Sequence, residues 1–204
     1  MKYYLSSYEL GNEIEKFKSL VPKGKIGYIP NARDFTGADP ERRAKGNNKN
    51  MALLRELGLE VELVDLRDYF GKKSELKKKL EEIGAIFISG GNVFVLRQAM
   101  KLSGLDEILK EMQDTDFLYA GYSAAGCVLG PNLKCYEIVD KVDTPYSEQK
   151  DVIFEGLGFI DWAFMPHFDS NHPESENILK EIIYCKENNI SYKTVRDGEV
   201  IIID

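Results

Sequence analysis

A chain of 204 residues, 43% hydrophobic and 30% charged, is long enough to bury a substantial core and is expected to form one compact domain over residues 1–204. Its 27 basic against 34 acidic residues leave a net charge of −7, which argues against nucleic acid or an anionic membrane surface as a partner. Three cysteines without metal-like spacing (Cys127, Cys135, Cys185) and an N-terminal run, MKYYLSSYELGNEIEKF, without a continuous apolar segment lead us to expect a reduced, cytoplasmic protein with no membrane span.

In chain order, strand candidates alternate with helical patterns. KIGYIP (25–30) and EVELVDL (60–66) are short and rich in β-branched or aromatic residues, and between them 40–58 carries apolar residues at helical spacing, among them Leu53, Leu54 and Leu57 before Gly58. The 72–83 pattern is a second helix; its Lys77-Lys78-Lys79 run, flanked by Leu76 and Leu80, reads as a solvated face. AIFISG (85–90), a helix over 93–113, FLYAGY (117–122), WAFMP (162–166) and a helix over 173–188 complete the alternation. This is the sequence form of βαβ units and predicts an α/β three-layer α/β/α sandwich around a mostly parallel, doubly wound sheet. The tail SYKTVRDGEVIIID has two β-prone runs around Asp197-Gly198, which predicts a terminal hairpin.

Ligands of such sheets sit beyond the carboxyl ends of the strands. Three loops expected there carry chemistry: SGGN (89–92), GYSAAG (121–126) and PHFDSNHPES (166–175). A nucleophile held on a sharp strand-to-helix turn needs small neighbours, and Gly121, Ala124, Ala125 and Gly126 surround Ser123, although the usual G-x-S-x-G spacing is displaced by one residue. The following helix would aim its N–H groups at a developing oxyanion, with Ala124 as one donor and Gly91 as the second. Asn92 is a candidate helix N-cap and substrate contact. A structural βα turn and a glycine-started helix are the alternatives.

Only His167 and His172 are available as a histidine base. His167 directly follows a predicted strand and is preferred; His172, before Pro173, reads as an exposed residue near a helix start. A metal site of His167, Asp169 and His172 is the competing arrangement, although nothing else in the chain has zinc-ligand spacing. An orienting acid is required as well. Glu137 and Asp140, in KCYEIVDKVD (134–143), are the nearest acids between serine and histidine; in an extended segment they face opposite ways.

Taken in order, GYIPNA, FISGGNVFVL, GYSAAGCVLGP, MPHFD and DGEVIII resemble the peptidase E, or aspartyl dipeptidase, family of serine peptidases (peptidase family S51), which also contains cyanophycinases. The resemblance implies a fold like that of class I glutamine amidotransferases, no metal or organic cofactor, and an intracellular exopeptidase acting on short peptides. Separately, a monomer or a homodimer is expected. Matched residue by residue, Ser123 would be the nucleophile, His167 the base, and Gly91 with Ala124 the oxyanion donors. The family's third member falls close to Ile138, so Glu137 is the expected acid and Asp140 its alternative. Aspartyl dipeptidases place an arginine after the catalytic histidine to pair with the substrate aspartate. SNHPESENILKEI has none; Glu174 or Glu176 would repel an acidic side chain, and only Arg33 or Arg97 from other loops could substitute. Strict Asp-X specificity is therefore not expected. An esterase, or a silent binding module of the same fold, are the rival functions.

Overall fold

The computed structural model describes all 204 residues. Five parallel strands are β1 (Lys2–Ser6), β2 (Lys25–Ile29), β3 (Glu60–Leu63), β4 (Ala85–Ile88) and β5 (Leu118–Tyr122); β8 (Val200–Ile203) closes one edge antiparallel to β1, in the order β3-β2-β4-β5-β1-β8. Period-two alternation sorts the strand residues onto two faces. Tyr4, Ile26, Tyr28, Phe87 and Ala120 pack with Phe17 and Leu20 of α1 (Ile14–Leu20) and Met51 and Leu54 of α2 (Pro40–Glu56). Tyr3, Leu5, Ile86, Ile88 and Tyr119 face the larger core, with α3 (Lys73–Ile83), α4 (Val93–Ser103), α5 (Leu105–Glu111), α6 (Ala124–Cys127) and α7 (Ser175–Glu187). The three-layer α/β/α architecture is as expected from the alternation.

Particular elements differ. The segment KYYLS is a fully engaged strand, paired with β5 on one side and β8 on the other. The 93–113 helix divides at Gly104, whose left-handed backbone (φ +76°) caps α4 and starts α5. WAFMP yields β6 (Ala163–Met165) outside the main sheet, paired in parallel with β7 (Tyr192–Thr194). The terminal hairpin does not form: its turn is present, with Glu199 N–H donating to the Arg196 carbonyl, but β7 joins β6 while β8 joins β1. The residues between are thereby stretched from the small sheet to the large one. Lys77 pairs with Glu111, and Lys79 with Glu62, on the outer side of α3. No helix is long and apolar enough to cross a membrane.

Candidate active site

Three neighbouring strands, β4, β5 and β1, end side by side and deliver Gly91, Ser123 and Ser7 to one edge of the sheet. Ser123 has φ 50° and ψ −110°, outside the regions an L-residue ordinarily occupies, a strain of roughly 1–3 kcal/mol that surrounding structure must hold. The small residues explain how it is held. A Cβ on Gly121 would come within 2.5 Å of the Ile88 carbonyl oxygen, and one on Gly126 within 2.6 Å of the Phe164 ring. Larger residues would push the turn off the sheet. The strained residue also caps α6, receiving N–H donations from Gly126 and Cys127 onto its carbonyl. Ala124, at the first position of α6, has no carbonyl behind it within the helix to take its N–H.

Gly91 sits at φ +148°, and a Cβ there would meet the Ala32 carbonyl oxygen at 2.3 Å. Its backbone borders the same cleft as Ser123 and Ala124. Asn92 is the N-cap of α4: its Oδ1 accepts from the N–H groups of Phe94 and Val95, and its Nδ2 donates to the Lys141 carbonyl at 2.7 Å. The oxygen and one of the two amide N–H groups are thereby committed to the fold, with the capping role in place.

His167 follows β6 and is 2% exposed. Its backbone is in the left-handed region (φ 57°), and its N–H donates to Ser7 Oγ at 2.8 Å. Ser6, one residue earlier, accepts the Ser123 N–H on its carbonyl at 3.1 Å. Two consecutive residues at the end of β1 therefore tie the backbones of serine and histidine to one support. Nothing in the sequence marked them except a Ser-Ser pair after an unrecognised strand.

The acid at His167 is Asp197. Its Oδ1 lies 2.7 Å from Nδ1 and also accepts the Ser7 hydroxyl at 2.7 Å. Burial lowers the His167 pKa below the ordinary histidine value, and the Asp197 hydrogen bond opposes that shift. Neither sequence candidate occupies this position. Residues 134–138 form a 3-10 turn (Lys134–Ile138), so the extended-strand argument fails; Glu137 is exposed, and Asp140 Oδ2 accepts the Val93 N–H at 2.6 Å. The signal that pointed elsewhere was the Asp-Gly pair of the tail, read as turn chemistry alone.

His172 is half-buried rather than exposed: its Nδ1 accepts the Glu174 N–H at 3.3 Å at the start of α7, and its ring stacks on His167, with centroids 3.7 Å apart and planes 9° from parallel. Glu174 Oε2 is 3.9 Å from His167 Nε2, the nitrogen left for Ser123. No hydrogen bond joins Ser123 Oγ to Nε2 in this state; that nitrogen instead faces the Glu174 carboxylate. Ligand atoms of His167, His172 and Glu174 lie within 4.8 Å of one another. Parallel imidazoles point their in-plane lone pairs along separate planes, so one ion could not take both without a ring turning. Asp169 is drawn away to Arg196, at 3.0 Å. Neither arginine named from the sequence enters the cleft from the acidic side: Arg97 pairs with Asp106 and donates to the Glu155 carbonyl, while Arg33 donates to the Gly90 carbonyl and the Tyr122 hydroxyl. Glu176 is exposed.

The cleft beside Ser123 is lined by Gly91, Ala124, Val139 and Ile178, and by three acids, Asp140, Glu174 and Glu181. Burial pushes the Asp140 carboxyl up to about 7 against the lowering effect of the Val93 N–H, and burial followed by the charge of Asp140 pushes Glu181 up to about 9.

A parallel sheet carrying a strained serine at a strand-to-helix turn, with a histidine and a carboxylate converging on the same sheet edge, defines a hydrolase-like α/β architecture. The profile of peptidase family S51 matches residues 6–204, and the chain belongs to that family. Among relatives, it is 28% identical over 130 residues to the "uncharacterized peptidase Lmo0363" of Listeria monocytogenes (64% of this chain, 60% of the relative) and 29% identical over 127 residues to "Peptidase E" of Streptomyces coelicolor (59% and 49%). The matched stretches thus span about half to three fifths of these relatives' lengths. A crystal structure of a "Putative Peptidase E Protein" from Listeria monocytogenes EGD-e superposes with TM-score 0.77 at 23% identity, covering 99% of this chain and 93% of that one; a peptidase from an acI-B1 Actinobacterium gives 0.69 at 17% identity, covering 99% and 82%.

Proposed function

We propose that this protein is a serine-type peptidase that hydrolyses short peptides through an acyl-enzyme, with Ser123 as nucleophile, His167 as general base and then acid, and Asp197 as the acid that orients it. The observation that carries this reading is the double tie at the end of β1: Ser6 holds the Ser123 N–H, and Ser7 holds both the His167 N–H and Asp197. Such a support fixes the relative position of two reacting groups from distant parts of the chain.

The chemistry follows. Ser123 Oγ attacks the peptide carbonyl as its proton passes to His167 Nε2, and the N–H groups of Gly91 and Ala124 receive the oxyanion. The imidazolium, stabilised by Asp197, protonates the amine as the C–N bond breaks. Water then attacks the ester, giving its proton to His167, and the acid product leaves with Ser123 restored. His167 Nε2 must exchange its approach to Glu174 for one to Ser123, a side-chain movement that substrate in the cleft would drive.

Reaction with a fluorophosphonate probe tests the reading without a known substrate. Wild type should label and Ser123→Ala should not, while circular dichroism stays unchanged; loss of the serine in such a site lowers turnover on the order of a million-fold. Equal labelling of the two would end the assignment. A panel of free dipeptides, blocked peptides and simple esters then separates a dipeptidase from an esterase: the dipeptidase hydrolyses the free dipeptides and leaves the esters of non-amino acids untouched.

A further inference from the structure

Three arginines are withdrawn from solvent, and two of them have carboxylate partners: Arg43 pairs with Asp34, and Arg97 with Asp106. The third, Arg33, has none. It ends the 3-10 turn Asn31–Arg33 after β2, on the α2 side of the sheet edge. Its Nε donates to the Gly90 carbonyl at 3.4 Å, one terminal nitrogen to Asn47 Oδ1 at 3.5 Å, and the other to the Tyr122 hydroxyl. All three acceptors are neutral, and the first two contacts are long beside the roughly 2.7–2.9 Å of a guanidinium on a carboxylate. A guanidinium has two N–H groups on each terminal nitrogen, so one on each is left over. In a chain with a net charge of −7, a half-buried cation with no acid of its own calls for an anion from outside.

The head group has a built seat. A Cβ on Gly46 would meet Arg33 Nη1 at 2.4 Å, so a side chain there would displace it. Tyr122 and Asn50 are each 5% exposed, and Asn50 Nδ2 donates to the Tyr122 hydroxyl at 3.1 Å, fixing the oxygen that Arg33 meets. The seat is also close to the serine. A Cβ on Gly90 would come within 3.1 Å of Ser123 Cβ, and the Gly90 carbonyl is the one that takes Arg33 Nε. With ordinary bond lengths these links put Nε no more than about 10 Å from Ser123 Cβ. The Ala32 carbonyl, one residue before Arg33, accepts the Asn92 N–H at 2.8 Å and so ties the arginine's turn to the Gly91 loop.

We propose that Arg33 is a specificity-determining residue that takes the free α-carboxylate of the leaving residue, so that the substrate is a dipeptide held by its C-terminal end. The proposal rests on the reading of Ser123 as the nucleophile. The leaving amine collects its proton from His167, so the leaving residue lies on the His167 side of Ser123. Tyr8 joins that side to Arg33: its ring stands edge-on to His167 and to Tyr122, with centroids 6.2 and 6.1 Å away. Ser123 and Arg33 are half-buried and Tyr8 is 43% exposed, so the path between them runs along the open sheet edge and not into the narrow cleft. Reach is sufficient. The terminal carboxylate of a dipeptide lies about one residue length, ~3.5 Å, beyond the scissile carbon, and the attack distance of the serine oxygen and one hydrogen bond, each about 3 Å, span the rest. An acidic side chain on the acyl residue would offer the same chemical group, and the test separates the two sources.

The test is calorimetric binding to the Ser123→Ala protein of alanyl-leucine, alanyl-leucinamide and aspartyl-leucinamide, which carry a terminal carboxylate, no carboxylate, and a side-chain carboxylate only. Alanyl-leucine should bind at least tenfold more tightly than either amide, the scale of a charge-assisted hydrogen bond. Adding Arg33→Met, which keeps the stem without the charge, should bring alanyl-leucine and alanyl-leucinamide together. Arg33→Lys serves if that variant does not fold; it keeps the charge without the fork and should cut the ratio at least threefold. A merely structural arginine would weaken all three peptides alike and leave the ratio unchanged. That result, equal affinities in the Ser123→Ala protein, best binding of aspartyl-leucinamide, or no detectable binding of alanyl-leucine would each overturn the proposal. Failure of wild type to take the fluorophosphonate label would sink the proposed function instead, because binding to Ser123→Ala does not depend on turnover.

Discussion

Replacing Asp197 by asparagine removes a charge while keeping the shape of the side chain. An asparagine oxygen can still accept from His167 Nδ1–H and from Ser7, so the ring stays oriented and the main loss falls on the imidazolium that forms as Ser123 attacks. Asp197 Oδ1 is 2.7 Å from Nδ1, and the delocalised charges are centred about 4 Å apart, where an effective dielectric of 20 gives about 4 kcal/mol. The Asp197 side chain is one-quarter exposed, which reduces this to about 3 kcal/mol, or a slowing on the order of 10²–10³-fold. The assay is the second-order rate of fluorophosphonate labelling, read beside Glu137→Gln. Glu137 is exposed and should change the rate by less than about twofold. If Asp197→Asn labelled within threefold of wild type while Glu137→Gln lost activity, the acid would be Glu137 and the geometry given for the base would be wrong.

Ser7→Ala removes the hydroxyl shared by His167 N–H and Asp197, and should slow labelling roughly tenfold while Asp197 still holds Nδ1; an unchanged rate in a pH profile identical to wild type would remove Ser7 from the positioning of the base. Ser123→Gly relieves the positive-φ backbone and should raise stability by about 1 kcal/mol, or about 2–4 °C in melting temperature for a chain of this size; a lower melting temperature than that of Ser123→Ala would show that the turn is not strained. Because burial lowers the His167 pKa, the neutral, reactive imidazole persists below the ordinary histidine range, and the labelling rate at pH 6.5 should remain above half its maximum. The sign for stability is the same: between its unfolded and folded pKa the unfolded state binds the extra proton, so this group's contribution diminishes as pH falls from about 6.5. A half-maximum at or above 6.5 would contradict the buried placement. Asp197→Asn, which removes the interaction that raises this pKa, should move the midpoint lower still.

The βα alternation, the serine turn and the glycine loop were legible in the sequence because their causes are local. Short apolar runs bury between helices whatever their partners, and only small residues let the backbone at Gly121 and Gly126 approach Ile88 and Phe164 so closely. The strand Lys2–Ser6 was not, since five residues at a chain start carry little periodicity and become a strand through the two neighbours that pair with them. The acid was hidden for a different reason. Asp197 lies 30 residues beyond His167 in an Asp-Gly turn, and its carboxylate reaches the imidazole only because the flanking strands join different sheets, which stretches the turn across the site. Proximity in sequence favoured Glu137 and Asp140, but a 3-10 turn exposes the first and a helix N-terminus donates a hydrogen bond to the second.

What the chain determined by itself was the set of chemically competent groups and the tight turn that presents Ser123, properties of residue size and short-range sterics. Which carboxylate meets His167, and which acids close the cleft beside the serine, were decided by tertiary structure. The first joins residues 30 apart and is held by Ser7, 190 residues from Asp197, and both depend on strand order and sheet membership, which no local pattern encodes.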